Sequence, residues 1–329
     1  MDRDSRRTTI YDLAQLAGAS PSAVSAVLNG TWQKRRISQR LAERVKALAE
    51  EQGYAVNTQA SLLRRERSHI VGMIVPKYDN RYFGQIAERF EARARAAGFF
   101  PVVTCTQRDP EMEFEAAKEL VSWQAECVIA TGATDPDRIS GFCAAAGVQS
   151  INLDLPGTAA PSVISDNFAA AQALAAVILD RCDAPGPLRF IGGRPGDHNT
   201  AARLRGFLAE HDRRGIAVPE DHRMMPGYSA DKVAQALAGW CPEGPVGLFV
   251  NSTIALEGVV RWIAELPQGA GPVRYGCFDW DAFAARLPGN VGMVEQDVGT
   301  MLTRVFDMIG ARDLAPTATL VPCLMRRTG

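Results

Sequence analysis

The spacing of apolar residues changes character near residue 70. Before that point they fall every three or four positions in three short clusters: Leu13, Ala14, Leu16 and Ala17; Ala23, Val24, Val27 and Leu28; then Leu41, Val45, Leu48 and Ala49. Each spacing predicts a short helix with one apolar face. Punctuation residues sit at the ends. Thr9 with Asp12 three positions on reads as a capping box, and Gly18 as a stop. Ser20 followed by Pro21 opens a second helix, because proline at the first helical position loses no hydrogen bond. Ser38 opens a third, which stops at Gly53. Two short helices at a tight turn, braced by a third, predict a helix-turn-helix that offers the start of its second helix to a DNA major groove. An ordinary three-helix cap with no ligand would show the same pattern.

From Ile70 onward, short continuous apolar runs alternate with amphipathic segments. Strands are expected at 70–75, 101–104, 127–130, 150–153 and 163–164, with helices near 82–97, 110–123, 138–146 and 169–182. The theme repeats with strands at 189–191, 246–250, 274–278 and 291–294 and helices at 199–212 and 253–265. Repeated βα units with apolar strands predict parallel sheets covered on both faces. So many units exceed one sheet, so the fold class is α/β, with a helix-turn-helix head and a core of two parallel-sheet subdomains facing across a cleft. Ligands of such folds bind where strands end. The strand exits here are rich in hydroxyls, amides, carboxylates and aromatics, with one arginine, Arg203, a set suited to a polyhydroxylated ligand. Taken singly, each is also an ordinary polar loop residue.

Charge separates the two regions further. Residues 1–69 hold 12 Lys+Arg against 7 Asp+Glu, whereas residues 70–329 hold 24 against 30. A basic head on an acidic body predicts a polyanion-binding module joined to one that binds none. The seven cysteines lack any C-x-x-C pair and read as small buried hydrophobes of a reducing compartment. The first residues lack a signal-peptide core, and no apolar run is long enough to span a bilayer, so a cytoplasmic protein with no membrane partner is expected. The four histidines share no metal-ligand spacing, so no metal and no cofactor is expected; His198, beside a strand exit, is kept as a ligand candidate. Gly192-Gly193-Arg-Pro-Gly196 lacks the spacing of a phosphate loop and reads as a turn. With no nucleophile triad or paired carboxylates, an enzyme is not expected.

Between head and core, residues 57–68 form a short, marginally helical link, expected to be ordered only by DNA or a partner; a plain flexible linker is the alternative. The domains are then 1–56, 57–68 and 69–329. The last divides into a first subdomain of about 69–165 and 297–314 and a second of about 166–295 and 315–329.

The run T-I-Y-D-L-A-x-x-A-G-A-S-x-x-x-V-S-x-V-L-N-G from Thr9, followed by Ile37-Ser38 and G-Y-x-x-N at Gly53–Asn57, resembles the LacI/GalR family of bacterial transcription regulators. Within it, the basic loop Thr31–Arg36 and the stretch from Ile74 to Phe99 are similar to the fructose repressor branch, or catabolite repressor/activator. The resemblance implies a periplasmic-binding-protein-like type I core that responds to a sugar or sugar phosphate. It also implies a homodimer or tetramer whose paired heads bind a near-palindromic double-stranded operator. Carried over by motif, the DNA-contacting set is Thr9, Ile10, Ser20, Pro21, Ser22, Ser25, Ala26, Asn29, Lys34, Arg35, Arg36 and Ser38. Asn57, Ala60 and Leu63 fall on the hinge, Leu63 as a minor-groove wedge. Tyr82, Phe83, Asp154, Arg203, Asn251, Asp279 and Gln296 fall on effector-contacting positions. Pro21 and Ala26 stand where relatives carry base-bonding side chains, Val56 replaces a proline before the hinge, and Trp280 departs from the pattern after Asp279. The function implied is a sugar-controlled DNA-binding regulator, a repressor. A sugar-binding receptor without a DNA role is the alternative.

Overall fold

In the computed structural model, which describes residues 8–54, 68–182, 186–311 and 314–327, the chain divides into two units, Met1–Ser68 and His69–Gly329. The expected hinge residues Asn57, Ala60 and Leu63 lie outside the described residues.

The first unit contains α1 (Ile10–Ala17), α2 (Pro21–Leu28) and α3 (Gln39–Glu51). Its punctuation works as the residue types dictate. The Asp12 carboxylate accepts from Thr9 N–H at 2.8 Å while Thr9 Oγ1 accepts from Asp12 N–H at 3.3 Å, closing the box. Gly18 takes the left-handed conformation, φ 62°, and the N–H groups of Gly18 and Ala19 reach back to the carbonyls of Gln15 and Ala14. Ser20 and Ser38 each accept a hydrogen bond from the N–H three residues on. Leu13, Ala14, Ala17, Val24, Val27, Ala42, Val45 and Ala49 make the core. Its interior rows are shifted slightly from expectation. Leu16 is 47% exposed, and Ala26 rather than Ala23 is buried.

The second unit has two six-stranded sheets. The first has the order β11-β5-β4-β3-β1-β2, all parallel, from β1 (Ile70–Val75), β2 (Phe100–Cys105), β3 (Cys127–Thr131), β4 (Gln149–Leu153), β5 (Ser162–Ser165) and β11 (Ala318–Val321). The second has the order β12-β10-β9-β8-β6-β7, from β6 (Arg189–Ile191), β7 (Arg223–Met224), β8 (Val246–Val250), β9 (Val273–Phe278), β10 (Asn290–Glu295) and β12 (Leu324–Arg327). Only β12 runs antiparallel to its neighbour. Helices α4 (Arg81–Ala96), α5 (Pro110–Ser122), α6 (Pro136–Ala145) and α11 (Val298–Met308) cover the first sheet. The second sheet is covered by α7 (Asn167–Arg181), α8 (His198–Arg213), α9 (Ala230–Leu237) and α10 (Thr253–Ala264).

The chain crosses between lobes three times, after β5, after β10 and after β11. The last crossing corrects the expected subdomain limits, which gave all of 315–329 to the second lobe. Ala318–Val321 instead pairs with Ser162–Ser165 at the edge of the first sheet, and only after Pro322, which cannot donate to a ladder, does the chain enter the second.

Each of these eight α-helices opens on a side-chain cap: Asn80, Asp109, Asp135, Asp166, Asp197, Ser229, Ser252 and Asp297. Much of the polarity at the strand exits therefore closes helices. What remains uncommitted defines the cleft.

Candidate functional site

Between the two lobes of the second unit lies a cavity of about 240 Å³. Tyr82 and Phe83 enter it from the first turn of α4, Asp154 from the end of β4, and Arg203 from α8, two turns after its Asp197 cap. Asp279 and Gln296 follow β9 and β10. Six of the seven expected effector residues therefore line one cavity.

Arg203 is the centre of the polar network. It is 3% exposed; its Nε donates to Asn167 Oδ1 at 2.7 Å, one terminal nitrogen donates to the Asn251 carbonyl at 2.6 Å, and the guanidinium lies 3.9 Å from the centroid of Phe278. Burial works against its charge, yet Asp279, Tyr228 and Asp154 hold its pKa above the ordinary value. The motif Arg203-Leu-Arg-Gly206-Phe207 explains itself here. A Cβ on Gly206 would run into the Phe168 carbonyl, so glycine lets α7 and α8 approach closely enough to seat Arg203 beside Asn167, and Phe207 anchors the pair in the core.

Asp154 Oδ1 accepts from the Tyr82 hydroxyl at 3.0 Å and from the Asn199 amide at 3.2 Å. Burial lifts its carboxyl to about 6, against the pull of Arg203, Arg108 and the Tyr82 bond. Burial likewise raises Asp279, against Arg203 and a 2.7 Å bond from Gln296. Gln296 is fixed in turn by the Ser165 hydroxyl at 2.7 Å. Two carboxylates so placed can accept pairs of hydroxyls, while Arg203, Asn199 and Gln296 can donate.

Four left-handed non-glycine residues of this unit, Gln107, Arg108, Asp154 and Asp279, follow strands whose ends face the cleft, and three of them line the cavity. Such conformations cost on the order of 1 kcal/mol or more each and persist where the surroundings over-determine them.

Two expectations are corrected. Asn251 does not line the cavity: it is fully buried behind Tyr228, donating to the Tyr228 hydroxyl at 3.2 Å, and acts by holding Arg203 and Tyr228 in place. His198 is exposed and outside the lining, because it heads α8 on the solvent side, whereas Asn199 faces inward. Trp280 borders a smaller cavity with Arg81 and Gln85, beside the main one.

Sequence reasoning missed Tyr228, which no periodicity marked because β7 before it has only two residues. Its hydroxyl donates to Asp197 at 2.9 Å and meets Thr200 Oγ1 at 3.1 Å. Burial pushes the phenol up to about 12, so it stays protonated. Arg108 was missed as well; it stacks over Phe83 at 5.5 Å and donates to the Gly132 carbonyl at 3.4 Å.

On the head, Ser20 spends its oxygen on the helix cap, leaving Ser22 exposed beside it at the start of α2. Pro21 and Ser25 are half-buried, and Asn29 is tied back to Ser25 through its side-chain amide. Ala26 is 4% exposed, which removes it from the base-contacting set: its methyl is packed inward, where a longer side chain could have reached out. Thr9 and Ile10 sit at the start of α1, half-buried, and Ser38 is exposed at the start of α3. Lys34, Arg35 and Arg36 are all exposed, and none forms an ion pair among the described residues. Tyr11, 72% exposed on α1, is a further candidate that the sequence reading passed over as part of a motif. No helix among the described residues is long and apolar enough to cross a membrane.

Residues 71–287 match the periplasmic binding protein domain, and residues 9–57 match the bacterial regulatory proteins of the lacI family. The ribitol operon repressor of Klebsiella aerogenes is 61% identical over 193 residues, which cover 57% of this chain and 72% of that protein. The fructose operon regulatory protein of Vibrio cholerae is 27% identical over 293 residues, 88% of this chain and 89% of that one. Identity is thus higher with the ribitol repressor than with this member of the fructose branch. Among solved structures, the lac repressor dimer bound to operator and the anti-inducer ONPF shares the fold, with a TM-score of 0.79 at 20% identity over 98% of each chain.

Proposed function

The chain belongs to the lacI family of bacterial regulatory proteins, and from that premise we propose that it represses an operon for a small polyol and leaves its operator when the polyol, or the ketose made by oxidising it, fills the cleft. As a family member it is a DNA-binding transcriptional regulator and not an enzyme. The observation that carries the polyol reading is the 61% identity with a repressor whose operon is that of ribitol. The cavity of about 240 Å³, lined by carboxylates, amides and Arg203, is compatible with a small polyhydroxylated ligand.

In this reading residues 1–56 are the DNA-binding domain, 57–68 the hinge, and 69–329 the effector-binding and dimerisation core of a cytoplasmic homodimer. Thr9, Ser22, Ser25, Asn29, Ser38 and the loop Lys34–Arg36 face the operator. Asp154, Arg203, Asp279 and Gln296 bind the effector's hydroxyls, with Tyr82 and Phe83 as its apolar wall. A ligand bonded to both lobes favours one lobe arrangement over another. A differential of about 1 to 3 kcal/mol between arrangements is enough to change operator affinity 5- to 150-fold. A receptor without a DNA role would leave the capped, basic head unexplained.

The test is fluorescence anisotropy with a duplex taken from upstream of the chain's own gene. Tight, sequence-specific binding that ribitol or its ketose releases is expected. Binding no tighter than to unrelated DNA at physiological salt would overturn the reading.

A further inference from the structure

Away from the three crossings, two hydrogen-bonded side-chain contacts among the described residues join the lobes of the second unit. One is Asn199 with Asp154, inside the main cavity. The other is the ion pair of Arg81 with Asp281, which lies outside that cavity and borders the smaller one with Gln85 and Trp280. Every other ion pair among the described residues stays within one lobe. The two contacts differ in what an occupant of the main cavity does to them. Its hydroxyls compete for Asp154 and leave the Arg81 pair untouched.

The local chemistry of α4 does not ask for Arg81. Of the eight α-helices of this unit, α4 alone begins on a lysine or arginine, and its first turn holds no acidic residue. A positive charge at a helix N-terminus opposes the helix dipole, so the partner that offsets it stands on the other lobe. Asp281 is the fixed half of the pair. Its Oδ1 accepts from the N–H groups of Phe283 at 3.0 Å and Ala284 at 2.8 Å, which leaves Oδ2 for Arg81. Burial pushes this carboxyl up, and the Ala284 N–H and the Arg81 guanidinium bring it below its ordinary value, so it is charged at neutral pH. Each partner is also tied to a wall of the main cavity. Arg81 precedes Tyr82, whose hydroxyl donates to Asp154, and Asp281 follows Asp279 by two residues, with the Trp280 N–H between them bound to the Val294 carbonyl at 2.8 Å.

We propose that Arg81 and Asp281 form a latch that holds the lobes together in the empty chain and so sets the fraction of the chain already in the arrangement that a ligand bonded to both lobes requires. The apparent affinity of such a ligand scales with that fraction. The consequence for the ligand rests on the reading of the cleft as the effector site; the latch itself does not. Because Arg81 is exposed, the latch is weak, about two- to fivefold in the balance between lobe arrangements, and salt loosens it.

Amide exchange of the full chain without effector tests this, because protection beside the cleft follows the opening equilibrium. Arg81→Gln keeps a long polar side chain and removes the charge. Asp281→Asn does the same while keeping an acceptor for the Phe283 and Ala284 N–H groups. Each variant should exchange about two- to fivefold faster at residues 154–155 and 197–200, around the other lobe contact, and the double variant no faster than either single one. Raising the salt should bring the parent toward the variants. Acceleration confined to the substituted segment overturns the latch, as do effects that add in the double variant. Isothermal titration with ribitol and with D-ribulose reads the consequence. Whichever binds the parent should bind each single variant about two- to fivefold more weakly, and an unchanged affinity overturns the part assigned to the latch in effector binding. Binding of neither counts against the polyol reading alone, since the exchange result uses no ligand.

Discussion

Asn199, in the first turn of α8 on the second lobe, donates its side-chain amide to Asp154 Oδ1 of the first lobe at 3.2 Å. The same oxygen takes the Tyr82 hydroxyl, so one carboxylate both serves its own lobe and reaches across the cleft. Asn199 is itself fixed by Asn167, which stands where the chain crosses between lobes and also binds Arg203. The proposed ligand site and the lobe crossing therefore share one hydrogen-bond network. A ligand hydroxyl that competes for Asp154 acts directly on the contact between lobes.

Protonation of Asp154 should be visible in stability. Burial lifts its folded-state pKa to about 6, above the unfolded value of 3.8, so the folded chain holds this proton more tightly. Its contribution is complete below the unfolded value and is lost as pH rises through about 6, by up to about 3 kcal/mol. Asp279, raised by the same cause, adds in the same direction. Thermal melts of the free chain between pH 4 and pH 7, in order-of-magnitude terms, should show a clear loss in the parent and a smaller one in Asp154→Asn. Parallel curves would mean that Asp154 is not desolvated as described.

Arg203→Ala should separate the two activities. The change leaves Asn167 Oδ1 and the Asn251 carbonyl without their donor and strips Asp279 of its principal counter-charge, at a cost of about 3 to 5 kcal/mol in the core's stability. The residues proposed to face the operator are untouched. The variant is expected to melt earlier, to bind operator still, and to be deaf to effector. Anisotropy with and without effector reads this out, and release at the parent's effector concentration would remove Arg203 from the site.

Much of this arrangement was legible because it rests on local chemistry. The capping box at Thr9, the stop at Gly18 and the Ser20-Pro21 start are short-range hydrogen-bond and backbone effects, and the alternating βα pattern follows from strands buried on both faces. The resemblance to a known family then pointed to Asp154, Asp279 and Gln296. What stayed hidden depends on tertiary geometry. Asn251 sits at a strand exit as expected, but Tyr228 comes between it and the cavity. The two-residue β7 carries no period that could announce Tyr228. Ala318–Val321 and Leu324–Arg327 were read as one return to the second lobe, since the choice of sheet for a four-residue edge strand is set by its partner and not by its own pattern. Ala26 follows the register of recognition helices in general, while its short side chain is buried by the packing of this one.

The head's stability should hinge on Thr9. Its side chain accepts from Asp12 N–H and its own N–H is taken by the Asp12 carboxylate, so Thr9→Ala removes one cap bond and loosens the other. The expected loss is about 1 kcal/mol, a large share for a three-helix unit with a small core. Amide exchange in α1 should accelerate several-fold while protection in the β-sheets of the core is unchanged. Equal acceleration in both units would show that they do not unfold independently.

Affinity and sequence preference should come from different residues of the head. Lys34, Arg35 and Arg36 form an exposed basic loop with no ion pairs among the described residues, so they are available to phosphates, whereas Ser22 presents one hydroxyl at the start of α2. Each phosphate neutralised releases counterions and contributes about −0.9 to the slope of log affinity against log salt. In the proposed dimer the loop occurs twice, so Arg35→Ala should reduce the slope by about 2 and weaken binding to all duplexes nearly uniformly. Ser22→Ala should leave the slope alone and change the ranking among half-site variants, because base contacts specify while phosphate contacts position. Anisotropy titrations over a range of salt, repeated on a small panel of half-site variants, separate the two effects. A slope unchanged in Arg35→Ala would mean that the loop does not reach the backbone, and the basic character of the head would need another outlet.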